Sequence, residues 1–414
     1  MKITRSILGW MMYDFANSAF TTIIVSVVYS AYFIKTVVGG EPGYGEMLWG
    51  RAIGISMTLV ALTAPIMGAV ADFSRSKKKF LFFNCYLTII FTFLLYFVRQ
   101  GDILLGMTFF IVANYGFNSA NVFYDAFLPE ISPPGGIGKI SGYGWALGYL
   151  GGLLSLVISL VLVKNNVRFV FPMIALHFFI FSLFTFFWLQ ELQRPSKRTN
   201  YLRTAYQRVR FSLKHITRLP QLLRYIISYF IYNDGITTVI VFAAIYGIER
   251  FGMTTRDMII YFILAQFTSI IGSALFGYLT DKVNVKISLS ISLLIWIAVV
   301  IWAFFCTSAM EYYFVGLLAG MAIGSSQSNS RTMLSILTPQ NKQAEFFGFY
   351  TLTGRLSSII GPILYGWIAH RTGNIRWSIL SLMIFFILGW LILQSVSLKQ
   401  GIEQARQMTF DPDL

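Results

Sequence analysis

Apolar stretches long enough to cross a lipid bilayer recur twelve times along this 414-residue chain, separated by short polar turns. They fall at 7–34, 48–71, 80–98, 103–126, 142–163, 167–190, 222–247, 257–280, 287–306, 311–335, 345–369 and 376–397. Hydrocarbon offers no water to open backbone groups, so segments of this length fold as internally bonded helices, and they are too long for barrel strands. Hydrophobic residues make up 56% of the chain and charged residues 12%, too little polar surface for an ordinary soluble domain. The expected fold class is an all-α polytopic membrane protein.

A second regularity divides the twelve spans. Gly68 and Asp72 form a Gly-x-x-x-Asp signature that returns as Gly277 and Asp281, 209 residues later. Pro129 with Pro339, Gly144 with Gly354, and Gly151 with Gly361 repeat at 210 residues. The near-constant phase predicts two similar six-helix bundles, 1–190 and 222–397, related by an axis along the membrane normal and able to rock around a central cavity. Residues 191–221 form the connection and 398–414 a tail. Within the connection Leu202, Tyr206, Val209, Leu213 and Ile216 share a helical face, with Arg203, Arg210, Lys214 and Arg218 mostly elsewhere. That pattern predicts a basic amphipathic helix on the inner leaflet, with a regulatory target as the alternative.

The net charge of +15 points to lipid rather than nucleic acid, because the Lys and Arg residues concentrate on the side that holds both termini. That bias places the termini in the cytoplasm, and Arg75 with Lys77, Lys78 and Lys79 is expected to face anionic headgroups. The N-terminal segment reads as the first span rather than a cleavable signal, since Asp14 and Asn17 interrupt its apolar region. Cys85 and Cys306 fall in separate halves, so no disulfide is expected. There is no phosphate-binding GxxxxGK[ST] loop, no clustered metal ligands and no compact catalytic set, so no cofactor, metal or enzymatic activity is expected. No repeated filter motif suggests a channel.

Polar residues inside the spans are the candidate site. In the first span Asp14, Asn17, Ser18 and Thr21 share one face, below Tyr13. The fourth span carries Asn114, Asn118, Asn121 and Asp125 at spacings of four, three and four. Amides donate and accept at once, which suits a polar or zwitterionic solute. The seventh span carries Tyr232, Asn233, Asp234, Gly235, Thr237 and Thr238, where the glycine permits local unwinding. Gln327, Ser328, Arg331 and Ser335 come from the tenth span, and Thr351, Arg355 and Ser358 from the eleventh. An arginine at that depth requires a carboxylate, water or a substrate anion, so a permanent ion pair and a direct substrate contact both stand open for Arg355. Asp14, Asp125 and Asp234 are proton-coupling candidates, with sodium as an alternative ion. His177 reads as a packing histidine. Gly144, Gly148 and Gly152 form a small-residue stripe for close helix approach, and Gly361-Pro362 marks a bend. Gly68, Asp72, Arg75, Gly277 and Asp281 read as a conformational latch at the inner turns.

Twelve spans in two halves, with a Gly-x-x-x-Asp turn followed by basic residues, resemble the major facilitator superfamily. Tyr13 to Phe20, YDFANSAF, resembles the opening signature of its UMF1 group, related to the vacuolar Atg22 amino-acid effluxers. The turn departs from the superfamily pattern in having Arg75 where glycine is common and Ser76 where arginine is common. The resemblance implies an alternating-access carrier whose cavity is lined by spans one, four, seven and ten, which selects Asp14, Asn17, Asn118, Asn121, Asp125, Asp234 and Arg331, flanked by Arg355. It also implies amino-acid export, in a prokaryotic plasma-membrane relative acting as a monomer. The leading expectation is a secondary transporter of a small polar or zwitterionic solute, an amino acid or short peptide, with proton coupling. The alternatives are an amphiphile or multidrug exporter, raised by 39 Phe and 22 Tyr, and a non-transporting receptor or scaffold.

Overall fold

The computed structural model describes residues 3–39, 44–163, 166–191, 219–357 and 360–407. The amphipathic helix expected in 191–221 and Ser358 lie outside these residues, apart from the two ends of the connection. The principal helices are α1 (Arg5–Val38), α2 (Tyr44–Ser74), α3 (Lys77–Leu94), α4 (Ile103–Ala126), α5 (Ile137–Val163), α6 (Val170–Trp188) and α7 (Pro220–Phe251). They continue as α8 (Thr255–Lys282), α9 (Val285–Phe305), α10 (Ala309–Leu337), α11 (Gln343–Leu356), α12 (Ile360–Thr372), α13 (Ile375–Gln394) and α14 (Leu398–Gln407).

Polarity is inverted relative to a soluble protein. Leu104, Phe187 and Leu62 are 80%, 77% and 66% exposed, while Asn114, Asn118, Asn329 and Arg331 are buried. Apolar exposure on this scale is stable only against lipid, and the chain is a multi-pass membrane protein. Among the described residues ten helices, α1 to α9 and α13, are long and apolar enough to cross a membrane. The other two expected spans fall on α10, which has 29 residues but a run of eight polar ones from Ser325 to Thr332, and on α11 and α12, of 14 and 13 residues. The expected tail at 398–414 is in part a helix, α14, held by Gln221 Nε2 donating to Gln400 Oε1 (2.9 Å) and by Ser397 N donating to Gln221 Oε1 (2.8 Å).

The expectation that Gly235 unwinds the seventh span is corrected by the structure: α7 is helical from Pro220 to Phe251. Gly235 is used for proximity instead, since a Cβ there would lie 3.0 Å from Phe386 Cζ and 3.1 Å from Phe385 Cβ. The wide turns are in α1, where Phe20–Val27 and Phe33–Val38 adopt i→i+5 bonding. Such turns inside a helix often mark functional segments, and the first of them overlaps the end of the polar stripe of Asp14 to Thr21.

Packing brings the two halves of the sequence together at one end. α2 lies against α11, where a Cβ on Gly68 would meet Ala344 O at 2.5 Å, and Gly348 sits 3.1 Å from the Ala64–Pro65 backbone by the same measure. α5 lies against α8, where Gly142 and Gly277 approach until their Cα atoms touch any added Cβ at 2.9 Å. The expected stripe of Gly144, Gly148 and Gly152 packs on α1, facing Asp14, Ser18 and Thr22. Small residues at these crossings let backbones meet where lipid supplies no hydrophobic drive for association.

The turn after α2 carries a strained position. Arg75 has φ +49°, a region that a side chain disfavours by about 1–2 kcal/mol and that glycine enters freely. Arg75→Gly should therefore stabilise the fold by about 1 kcal/mol, read as a raised Tm in detergent; an unchanged or lowered Tm would show that the Arg75 side chain compensates the strain.

Candidate functional site

A cavity of about 320 Å³ lies between helices from both halves of the sequence. Asp14, Asn17, Ser18 and Thr21 reach it from α1, Asn118, Asn121 and Asp125 from α4, Asn233 and Thr237 from α7, and Gln327 and Arg331 from α10. The periodicities noted in the sequence explain this convergence, because residues three and four apart on a helix face the same way. Phe117, Tyr124, Trp145, Tyr229 and Tyr350 complete the walls.

Arg331 is the chemical centre. Its Nη1 donates to Asp14 Oδ2 at 3.1 Å and to Asp125 Oδ1 at 3.2 Å. The rest of the guanidinium turns toward α5: Nε donates to Ser141 Oγ at 3.2 Å and Nη2 to the Ser141 carbonyl at 2.8 Å. Indole rings of Trp10 and Trp145 lie 4.7 and 5.1 Å from its central carbon, in cation–π range. The guanidinium is 3% exposed, and its four charge-assisted bonds are what make such burial tolerable. Two carboxylates around one guanidinium give the Asp14–Asp125–Arg331 cluster a formal charge of −1. On the α1–α4 side Asn17 Nδ2 donates to Asn121 Oδ1 at 3.0 Å, and Asn118 Nδ2 to the Asn114 carbonyl at 2.7 Å.

The residues flanking Arg331 tie α10 to most of its neighbours. Ser328 O accepts from Ser141 Oγ of α5 at 2.9 Å. Asn329 Nδ2 donates to Ser288 Oγ of α9 (3.0 Å), and its Oδ1 accepts from Thr280 of α8 (2.6 Å). Ser330 O accepts from Tyr225 OH of α7 at 2.6 Å.

The other expected site residues sit apart from this cluster. Asp234 is buried, and both of its carboxylate oxygens accept from Gly361 N at 2.9 Å, so it caps the start of α12 instead of lining the cavity. Arg355 lies in α11, and its side chain is outside the described part of the structure. Ser335 is buried beyond the cavity, His177 packs between Phe15 and Phe181, and Cys85 and Cys306 are free. At the end where the halves meet, Asp72 Oδ2 accepts from Glu345 N (3.1 Å), while its other oxygen pairs with Lys77 at 2.9 Å. Asp281 accepts from Gly138 N (2.9 Å) and Lys139 N (3.0 Å). Each carboxylate of the repeated signature thus caps a helix start in the opposite half of the sequence. Nearby, burial pushes the Glu191 carboxyl above its ordinary range, opposed by the Lys78 N–H it accepts at 3.3 Å.

Sequence reasoning passed over Ser141, Asn329, Ser330, Trp10 and the aromatic walls. The unbroken polar run from Ser325 to Thr332 carried part of that signal, since a span facing lipid on any side cannot hold it.

The same fold is known from solved structures. The human organic anion transporter MFSD10 matches with a TM-score of 0.76 at 14% identity, covering 94% of this chain and 99% of that one. The transporter FucP, in an outward conformation, matches with a TM-score of 0.72 at 13% identity, over 95% and 98% of the two chains. The fold is that of the major facilitator carriers, with a polar cavity at its centre. A family model described as "Vacuole effluxer Atg22 like" matches residues 51–134 and 137–406, and the chain belongs to that family. An uncharacterized MFS-type transporter, YxiO of Bacillus subtilis, is 28% identical over 98% of both chains. Autophagy-related protein 22 of Kluyveromyces lactis is 25% identical over 65% of this chain, a match that spans 60% of that protein's length.

Removing the cation from a buried pair leaves uncompensated charge, at a cost of about 3–5 kcal/mol. Arg331→Gln should lower the Tm markedly, and Asp14→Asn, which leaves Arg331 one carboxylate, should lower it less. Equal Tm values for wild type and Arg331→Gln would contradict the assignment of Arg331 as the charge that holds this site together.

Proposed function

We propose that this protein is a twelve-span, two-bundle secondary carrier of a small polar or zwitterionic solute, an amino acid or short peptide, with protons exchanging at the Asp14–Asp125 pair during the cycle. One observation carries the reading: a cavity of about 320 Å³ presents charges of both signs, three asparagines from α1 and α4, and stacked aromatic rings. Its size suits a small solute, and carboxylate, guanidinium and amide groups together match an ammonium–carboxylate pair better than a sugar. The family model's description as an effluxer, and relatives named autophagy-related protein 22, support a solute-exporting role. A proton:xylose symporter of the same fold supports proton coupling as accessible to this architecture.

In this reading α10 and the α11–α12 pair supply the two spans that fall short on apolarity or length. The end bearing Asp72 and Asp281 is the cytoplasmic one, as the basic residues Lys77, Lys78 and Lys79 beside it favour, with both termini on that side of a prokaryotic plasma membrane. Gly68, Asp72, Arg75, Gly277 and Asp281 form the latch at that end, and Asn17, Asn118, Asn121 and Arg331 bind the solute. Arg355 joins them on its sequence position, with Asp234 as a further proton-coupling candidate in α7.

The aromatic walls favour a lipophilic cation as the second reading. Purified protein in liposomes separates the two by counterflow of labelled amino acids, dipeptides, sugars and lipophilic cations. Saturable exchange of an amino acid or dipeptide, lost in Asp14→Asn, is the expected result. Exchange of the lipophilic cation alone, unaffected by polar competitors, would overturn the proposal.

A further inference from the structure

The first turns of α5 touch two places that the cycle must keep in step. Gly138 and Lys139 donate their backbone N–H groups to Asp281 at the end that the Gly68–Ala344 and Gly142–Gly277 contacts hold closed. Two residues further on, Ser141 receives Arg331 Nε on its hydroxyl and Arg331 Nη2 on its carbonyl, and its hydroxyl hydrogen goes to Ser328 O. Ser141 is fully buried, and Gly142 beside it has no room for a Cβ against Ser273. The groups facing Arg331 are Asp14 on α1, Asp125 and Tyr124 on α4, and Ser141 on α5, with the Trp10 and Trp145 rings 4.7 and 5.1 Å from its central carbon.

A guanidinium is a rigid planar fork, so its three nitrogens cannot move separately. Nη1 belongs to the carboxylates and the Nε–Nη2 edge to Ser141. Neutralising or occupying Asp14 and Asp125 removes the partners of Nη1, and any tilt that follows pulls on Ser141. That residue sits on a helix start packed against α8 without slack, and close-packed contacts transmit displacement rather than absorb it. Gly138 and Lys139 ride on the same rigid turn, and their bonds to Asp281 tolerate only a few tenths of an ångström before weakening.

We propose that Ser141 is the positioning residue that couples the charge state of the Asp14–Asp125 pair to the closed end of the carrier, acting through Arg331 on one side and the Gly138–Lys139 contact with Asp281 on the other. It touches neither solute nor proton. The inference rests on the closed end opening during transport, and it adds a physical link between that opening and the cavity.

The test is a double-mutant cycle read as distance between spin labels at Lys79 and Asn341, both exposed, in a background with Cys85 and Cys306 replaced by Ala. Asp14→Asn mimics the neutralised carboxylate and should raise the population with separated labels. In Ser141→Ala the same Asp14→Asn change should raise it at least about threefold less, the size of a contact coupling. Ser141→Thr, which keeps the hydroxyl, should restore the response. A structural role alone would move the Tm of Ser141→Ala but leave the effects additive, and additivity in folded protein would overturn the inference. If the labels in Asp14→Asn never separate, the opening of this end on neutralisation is itself wrong and the proposal falls with it. Loss of the response in Ser141→Ala with recovery in Ser141→Thr supports it.

Discussion

A guanidinium buried among helices of a membrane protein has to be surrounded before it can be stable, and Arg331 sets that demand for the whole molecule. Four of its five N–H donors are met by carboxylates from α1 and α4 and by both oxygens of Ser141 on α5. Because α10 carries the arginine and the other three helices come from the first half of the sequence, the requirement draws the halves together at the cavity. The same helix commits Asn329 to α8 and α9 and Ser330 to α7. A polar run that would be expensive in any span facing lipid is thereby spent on neighbours, and α10 becomes the element against which the others are placed.

Around that centre, association depends on proximity rather than on apolar burial, since lipid competes equally for Leu and Phe side chains. Gly68 against Ala344 and Gly142 against Gly277 bring backbones close enough for Asp72 and Asp281 to reach the helix starts of the opposite half. These are small, exchangeable contacts between rigid helices, the kind of interface that holds one arrangement firmly and releases it as a unit. The carboxylates at the closed end and those in the cavity thus use one chemistry, acceptors offered to donors across the two halves, at two depths.

Much of this was legible in the sequence, and the reasons are specific. Asp14, Asn17, Ser18 and Thr21 fell on one helical face by spacing, and so did Asn118, Asn121 and Asp125; the cavity collects them because helical periodicity fixes direction. The repeated Gly-x-x-x-Asp marked two places that the fold also treats alike. Which partner each charge takes was not legible, because pairing is decided by tertiary neighbours: spacing put Arg331, Asp14 and Asp125 in one cavity but did not show that Arg331 holds both aspartates. Asp234 looked equivalent to Asp14, yet it caps the start of α12, a tertiary partner that its own helix does not reveal. Gly235 carried the composition of an unwound site but serves helix packing. Ser141 gave no signal, since one serine beside a glycine in an apolar helix is ordinary.

The account turns on the solute meeting the Arg331 cluster, and the most direct measurement is a structure determined with a transported solute bound. It should show the charged groups of the solute within about 3 Å of Asp14, Asp125 or Arg331, with an amide of Asn17 or Asn121 redirected toward it. Solute density elsewhere in the protein, with Arg331 still donating to both aspartates and to Ser141, would contradict it.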